Sequence, residues 1–231
     1  MEPSRAAAAL ADLDALNALG NPVRRRLYEC ISAAGRGIGR DEAAASVGVS
    51  RSLAAYHLDQ LVEQDLLEAS FERRGPGPGR PAKLYQRARR EFVLRVPPRD
   101  YQLLCELLVR AVADDQSGVA AATLERVAYE FGHELAEAVT NEGGDAHALA
   151  RVLSTRGYEP FEDEPGTLRL RNCPFESAAS RYPDVVCRLN LGLVEGVLDG
   201  LDTRNARAVL EPREGVCCVA IRMTKGESAR T

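Results

Sequence analysis

Four of the six cysteines lie in the last third of the chain: Cys173, Cys187, Cys217 and Cys218. Their thiolates are the groups in this sequence best able to hold a soft metal ion. Thiolate sulfur suits zinc, copper(I) and iron–sulfur clusters, and a bound group of this kind stabilises the fold around it. A thiolate site whose metal content changes could therefore act as a switch.

The spacing of these cysteines is weaker evidence than their number, because no close pair of the CxxC type occurs. Cys173 is predicted to end a strand, and Cys187 to lie in the first turns of a helix. Cys217 and Cys218 are predicted to lie on the last strand, where neighbours point to opposite faces. We therefore predict that at most one of this pair joins a shared site. The other two cysteines, Cys30 and Cys105, fall on apolar helix faces and are predicted to be small core residues.

A second pattern, over residues 41–67, predicts two short helices joined by a tight turn. Gly48 stands where a left-handed backbone is needed, and Ser50 is a good N-cap for the second helix. In that helix, residues at helical spacing predict one buried stripe: Leu53, His57, Leu58 and Leu61. Such a helix-turn-helix places the start of its second helix at base edges in the major groove, although an ordinary helical hairpin shares the local pattern.

The stretch after this motif predicts a β-hairpin whose tip, residues 75–81, is rich in glycine and proline. From Phe71 to Arg95 there are eight basic and two acidic residues, so this segment carries +6 in a chain of net charge −4. A local basic patch on an acidic chain is typical of a DNA-facing surface. The hairpin is therefore interpreted as the wing of a winged helix, with a linker between domains as the alternative.

Together these patterns resemble the ArsR-type winged-helix repressors of bacteria. The resemblance covers about residues 18–88 and rests on GNPVRRRL from Gly20, SRSLAAYHLDQL from Ser50 and DLL from Asp65. It implies a homodimer on a palindromic operator in double-stranded DNA. It also implies that one set of residues faces the bases, namely Arg51, Ser52, Ala55 and Tyr56. A second set is implied to face phosphate or the minor groove, namely Arg73, Arg74, Arg80 and Lys83.

Two further stretches resemble a subset of that family, the iron–sulfur-responsive repressors of Suf operons and their actinobacterial relatives. GRPAKLY from Gly79 is similar to their wing, and NCPF from Asn172 with the later cysteines is similar to their sensor domain. The resemblance implies a cluster held by cysteines about a dozen residues apart. Cys173 and Cys187, with 13 residues between them, match this spacing, but the next cysteine comes only at Cys217. Zinc, another metal, a thiol redox switch, an organic ligand and plain core cysteines remain open.

The whole chain is predicted to be α+β, in three parts. These are a winged helix-turn-helix DNA-binding domain over 1–96, a helical linker and dimerisation region over 97–143, and a cysteine-containing sensor domain over 144–231, with a small β-sheet packed on helices. Beyond the DNA-binding domain, helices are predicted over 100–115, 119–140, 145–155 and 184–201, and strands over 167–171, 206–210 and 216–223.

Composition narrows the class of protein. No apolar run approaches the ~20 residues of a membrane span, and the first residues lack the apolar core of a secretory signal, so we predict a cytoplasmic protein. No P-loop, HExxH or nucleophile elbow occurs, so we predict no enzymatic activity.

We therefore predict a DNA-binding transcriptional regulator, a repressor, whose cysteine domain modulates operator binding through an iron–sulfur cluster, metal or redox signal. The alternative is a winged-helix regulator whose C-terminal domain binds a small apolar ligand, or serves only for dimerisation or protein contact.

Overall fold

A computed structural model describes residues 5–72, 81–93, 100–138 and 146–223 of the chain. The chain divides into two compact units, Met1–Arg99 and Asp100–Thr231. Each unit contains helices, a small antiparallel sheet and a hydrophobic core of its own, which confirms the predicted α+β class. The two helices of the predicted 97–143 region belong to the second compact unit.

The first unit packs helices on a three-stranded antiparallel sheet of order β1-β3-β2. Its elements are α1 (Arg5–Ala18), α2 (Pro22–Ala34), β1 (Ile38–Gly39), α3 (Arg40–Val47), α4 (Arg51–Glu63), β2 (Leu67–Glu72) and β3 (Ala82–Arg87). Helices α3 and α4 form the predicted helix-turn-helix, and β2 and β3 form the strands of the predicted wing.

The turn between α3 and α4 forms as its residue types predict. Gly48 ends α3 with a φ of 72°, in the left-handed region. This conformation costs glycine little because glycine has no Cβ. The Ser50 hydroxyl accepts a hydrogen bond of 3.2 Å from the Leu53 backbone N–H and so caps α4.

The buried stripe of α4 differs from the prediction by one position. It consists of Ala54, His57, Leu58 and Leu61. Leu53 is 41% exposed, so its predicted core role was wrong. Successive residues of a helix are rotated by about 100°, so burying positions 54, 58 and 61 turns position 53 away from the core.

Three consecutive arginines of α2 bond to carbonyl oxygens at helix ends. Arg24 and Arg25 donate through Nε to carbonyls at the end of α1, at 2.7 and 3.1 Å. Arg26 donates through Nη1 to the Val47 carbonyl at the end of α3, at 3.3 Å. Terminal carbonyls of a helix lack partners within the helix and carry partial negative charge, so these cations stabilise the junctions on either side of α2.

The second unit is built on a four-stranded antiparallel sheet of order β4-β5-β7-β6. Its elements are α5 (Tyr101–Ala113), α6 (Val119–Glu137), α7 (Ala146–Thr155), β4 (Pro160–Glu164), β5 (Thr167–Leu170), α8 (Glu176–Ala179), α9 (Pro183–Gly200), β6 (Ala206–Leu210) and β7 (Val219–Met223). Strand β7 thus begins three residues later than predicted. Helix α9 covers the sheet, and its apolar face supplies much of the core.

Helices α6 and α9 pack backbone against backbone. The contact uses small residues repeated every four positions: Ala128, Gly132 and Ala136 on α6, and Gly192, Gly196 and Gly200 on α9. A Cβ at Gly132 would lie 2.1 Å from the Leu193 carbonyl oxygen, and one at Gly196 would lie 2.0 Å from that of Tyr129. No side chain fits between these backbones, so the two helices form one rigid pair.

Helix α5 is apolar, yet none of its residues is buried. Its large side chains are half exposed or more: Tyr101 59%, Leu103 50%, Leu104 53%, Leu107 56% and Leu108 60%. Cys105 is also exposed, so its predicted core role was wrong, because the described residues of this chain leave that face of α5 uncovered. Cys30, in contrast, packs half-buried against the first core. None of the helices in the described ranges combines the length and the apolarity needed to cross a membrane.

Candidate nucleic-acid interface and thiol cluster

The start of α4 presents the residues predicted to face the bases. Arg51 and Ser52 are exposed, Ala55 is half-buried, and Tyr56 is 59% exposed although it is a large aromatic residue. All four lie in the first two turns, on a helix whose N-terminus is capped. The structure therefore leaves this surface open to a major groove, and the base contacts themselves remain a prediction.

Arg51 is paired with an acidic residue of the preceding helix. Its Nε lies 2.8 Å from Oδ1 of Asp41, in the first turn of α3, and both side chains are largely exposed. Exposed ion pairs of this kind contribute little net stability. The pair therefore holds the guanidinium near the start of α4, and breaking it would cost little free energy.

His57 lies on the opposite, buried side of α4. It is 8% exposed, and its Nδ1 has no hydrogen-bond partner within the described residues. Burial, with a smaller contribution from Arg24, lowers the pKa of His57 below its usual value, so the ring is neutral at pH 7. It is a core residue of the helix-turn-helix.

The wing is tied to α4 through Asp59. The Tyr85 hydroxyl donates to Asp59 Oδ1 at 2.8 Å, and Lys83 Nζ lies 2.6 Å from the same oxygen. Burial alone would raise the pKa of Asp59, but these two hydrogen bonds hold it below its ordinary value. Burial and the bond to Asp59 raise the pKa of the Tyr85 phenol. Lys83 therefore fixes the wing against α4, and its predicted contact with phosphate remains a prediction.

Some of the other basic residues of the segment from Phe71 to Arg95 lie outside the described residues, and others lie within them. Arg73, Arg74 and Arg80, predicted to face phosphate or the minor groove, lie outside the described residues. Arg90 lies within them and bonds to Asp65 at 2.7 Å and to Asp12 at 3.1 Å. Its charge thus ties the segment after the wing to α1 and to the end of the helix-turn-helix.

The four C-terminal cysteines converge at one end of the second unit. Cys173 follows β5, and Cys217 and Cys218 immediately precede β7, the neighbouring strand. Cys187 lies in the second turn of α9, which covers this sheet. Cys217 and Cys187 each lie close enough to Cys173 and Cys218 to raise the pKa of those two thiols. We call this group the thiol cluster, and all four of its cysteines are free.

Cys217 is the acceptor at the centre of the cluster. Hydrogen bonds from the Cys173 and Cys218 thiols, the Val219 backbone N–H and the Asn190 amide lower its pKa, so the thiolate form is favoured there. The Cys173 and Cys218 thiols donate to that thiolate, which raises their own pKa values, and burial raises the pKa of each of these two thiols further. The Phe175 backbone N–H also points at the Cys173 sulfur. Two backbone donors therefore face sulfur atoms in this cluster.

Asn190 and Tyr158 support Cys217 from the core. Asn190 is 1% exposed, on the buried face of α9, and donates through Nδ2 to Cys217 Sγ at 3.1 Å. The hydroxyl of the buried Tyr158 donates to Asn190 Oδ1 at 2.5 Å, which orients the amide with its N–H groups towards sulfur. Neither residue was predicted from the sequence to belong to the site. The available signal was one asparagine among apolar residues at the centre of a predicted helix.

Cys217 and Cys218 lie before the strand, so the alternation that would place them on opposite faces does not apply, and both thiols join the cluster. The loop that carries them is bonded to its surroundings. The Cys217 N–H donates to the Leu170 carbonyl at 2.8 Å, and the Glu211 N–H donates to the Cys218 carbonyl at 2.7 Å. The Glu211 carboxylate in turn pairs with the buried Arg169.

The thiol cluster is not arranged as a ready metal site in the part of the chain that the structure describes. Across the described ranges, no three His, Cys, Asp or Glu side chains stand in an arrangement that could hold a metal ion without moving. The chemistry of the donor set nevertheless suits a soft metal, because four free thiols lie together and N–H donors face two of the sulfurs. Rotation of thiol side chains would be needed to bring the sulfurs around a single ion.

The comparisons with known proteins give a match only within the first unit. The family model of a helix-turn-helix domain matches residues 19–69, which run from the end of α1 into β2. No curated protein and no solved structure matches the chain.

Proposed function

We propose that this chain represses transcription as a homodimer on a palindromic operator, and that its thiol cluster controls operator binding. Its helix-turn-helix domain makes it a DNA-binding transcriptional regulator. The observation that carries the DNA-binding part is the exposed start of α4, with Arg51 and Tyr56 outermost, beside a wing tied to the same helix through Asp59. A helix placed in this way reads base edges while its flanking wing contacts the backbone.

Arg51→Ala is expected to weaken discrimination between an operator and random DNA by about 1–3 kcal/mol, the contribution of a bidentate contact to guanine. The operator would be selected from a random DNA pool, and affinities for both DNAs measured by fluorescence anisotropy. Asp41→Ala is the matched control, because it breaks the same ion pair and leaves Arg51 in place. It should retain discrimination. Equal losses on operator and random DNA for Arg51→Ala would contradict the placement of α4.

A second copy of this chain is the proposed occupant of the uncovered face of α5. A helix-turn-helix domain reads two half-sites about one helical turn, ~34 Å, apart, and this requires two copies. Monomers rarely expose contiguous apolar patches larger than a few hundred Å², and such patches mark interaction surfaces. In a two-fold dimer the same surface serves both partners, and the five large side chains of α5 offer such a surface.

Leu104→Glu combined with Leu108→Glu is expected to yield a monomer in sedimentation equilibrium. Affinity for the full palindrome should fall about 100-fold, because the second half-site no longer benefits from linkage, while affinity for a half-site changes little. Leu210→Glu is the control, since it charges another exposed leucine outside α5. A double variant that still sediments as a dimer would exclude α5 as the contact.

The thiol cluster is the proposed sensor site. Cys173, Cys187, Cys217 and Cys218 would supply the sulfur ligands of an iron–sulfur cluster or a zinc ion, and Asn190 would stabilise the Cys217 ligand from outside the coordination shell. When bound, the group would supply metal–sulfur bonds that join β5, β7 and α9. Support comes from the convergence of the four free thiols and from the N–H donors that face them.

The test is the absorption spectrum of anaerobically purified protein, with iron, sulfide and zinc assayed in the same sample. Absorption near ~400 nm with stoichiometric iron and sulfide would identify a cluster, and a colourless sample with one zinc per chain would identify a zinc site. Protein without any metal, and without affinity for added zinc, would overturn the metal site.

A further inference from the structure

The segment between the first two cysteines of the thiol cluster, residues 174–186, is attached to the cluster at both ends. At its start, the Phe175 N–H points at the Cys173 sulfur, and the Phe175 ring packs edge-on against Tyr158 at 6.4 Å between centroids. At its end, Cys187 lies in the second turn of α9, close enough to Cys218 to raise the pKa of that thiol. One ion bound by both flanking thiols would therefore tie the two ends of this segment together.

The middle of the same segment contacts α5. The Gln102 amide donates through Nε2 to the Ser177 hydroxyl at 3.2 Å, and Arg181 Nη1 lies 2.6 Å from Glu106 Oε1. Gln102 and Glu106 are four residues apart and so lie on one face of α5. The 174–186 segment thus holds α5 by two polar contacts one turn apart.

These two polar contacts supplement a sparse apolar packing of α5. No α5 side chain is buried. Helix α9, by contrast, is held rigidly against α6 by the glycine contacts described above. The part of the segment that precedes α9, residues 174–182, connects this rigid helix pair to the loosely packed α5 and is the part able to move.

We propose that the 174–186 segment transmits the state of the thiol cluster to α5, and through α5 to operator affinity. This rests on the metal site proposed above. With Cys173 and Cys187 drawn to one bound ion, both ends of the segment are fixed, and Ser177 and Arg181 hold α5 in place. Without the ion the Cys173 end of the segment is no longer tied to α9, and α5 is held less tightly. Coupling between two sites requires such an element with two arrangements, each favoured by one state of the sensor site.

The test uses the full-length chain, metal-free and loaded with zinc(II), and the double variant Gln102→Ala with Glu106→Ala. Hydrogen exchange of the α5 backbone amides is the first readout, and operator affinity is the second. For the wild type, zinc is expected to slow α5 exchange and to change operator affinity by about tenfold, a typical size of coupling between sites. The double variant should bind zinc as tightly as the wild type, yet show the same α5 exchange with and without zinc.

Glu125→Ala is the matched control. It breaks the ion pair of Arg188 with Glu125, at 3.9 Å, which joins α9 to α6 outside the connecting segment. It should retain the full response to zinc. A double variant with a wild-type response, or a wild type that binds zinc without any change in α5 exchange, would overturn the coupling. A wild type that binds no zinc would instead overturn the metal site on which the coupling rests.

Discussion

Gly196→Ala is expected to lower the free energy of unfolding of the second unit by about 3 kcal/mol or more. Overpacked side chains cost about 1–3 kcal/mol when neighbouring side chains can give way. Here the obstacle is backbone, because the added Cβ would lie 2.0 Å from the Tyr129 carbonyl oxygen and 3.0 Å from the His133 nitrogen. Helices α6 and α9 must separate to accept it. The gain of up to ~1 kcal/mol in helix propensity is too small to offset this.

Urea denaturation of the full chain, followed by circular dichroism, measures this loss as a shift of the unfolding transition. Gly132→Ala, with a Cβ 2.1 Å from the Leu193 carbonyl oxygen, should be as damaging. Gly192→Ala is the graded control, since its Cβ would meet the Glu125 carbonyl oxygen at 2.9 Å and needs a smaller displacement. A Gly196→Ala protein as stable as the wild type would show that the two helices can move apart freely.

The same contact bears on function. Asn190 and Cys187 both lie on α9, and Gly196 fixes α9 against α6. Loosening that contact should therefore also displace one member of the thiol cluster, Cys187, and the residue that supports it, Asn190. We expect Gly196→Ala to weaken metal binding and to lower stability. Gly192→Ala should cause a smaller loss of each.

Asn190→Leu is expected to weaken zinc binding about 10–100-fold, the usual effect of losing a group that supports a metal ligand. The substitution removes the Nδ2 donor to Cys217 and leaves the Tyr158 hydroxyl buried without its acceptor. The stranded hydroxyl should also cost about 2 kcal/mol of stability. Cys217→Ser, which removes a ligand itself, should abolish high-affinity binding, and Cys105→Ser, at an exposed cysteine outside the cluster, should change nothing.

A double-mutant cycle separates the two effects of Asn190. Tyr158→Phe removes the hydroxyl, and adding it to Asn190→Leu replaces both hydrogen-bonding partners with apolar groups, which restores most of the lost stability. Zinc affinity, measured by competition with a chromogenic chelator, should stay low in the double variant because Cys217 still lacks its donor. Recovery of zinc affinity together with stability would mean that Asn190 acts only on the fold.

The sequence alone determined the helix-turn-helix and its wing. The signals there are local: Gly48 permits the left-handed turn, Ser50 caps the helix that follows, and the alternation around a Gly/Pro tip sets up a hairpin. Each depends on residues within a few positions, so each is readable without the fold. The helical phase of α4 was misread at Leu53, because propensity does not tell which of two adjacent apolar positions meets the core.

Only the tertiary structure decided where the cysteines lie relative to one another. Their convergence depends on the pairing of β5 with β7 and on α9 crossing that sheet, which are contacts between residues far apart in the chain. The start of β7 at Val219 placed Cys217 and Cys218 in a loop, where both thiols can join one cluster. A pattern of alternating faces holds only inside a strand, and strand ends are set by long-range pairing.

The roles of Asn190 and α5 were likewise decided by packing. A polar residue on an apolar helix face signals a buried hydrogen bond, but its partners, Tyr158 and Cys217, are more than twenty residues away in the chain. The leucines of α5 have the periodicity of a core helix, and periodicity records only that a face avoids water. Whether that face meets its own chain or a second copy depends on where the rest of the fold leaves it, and here the described fold leaves it exposed.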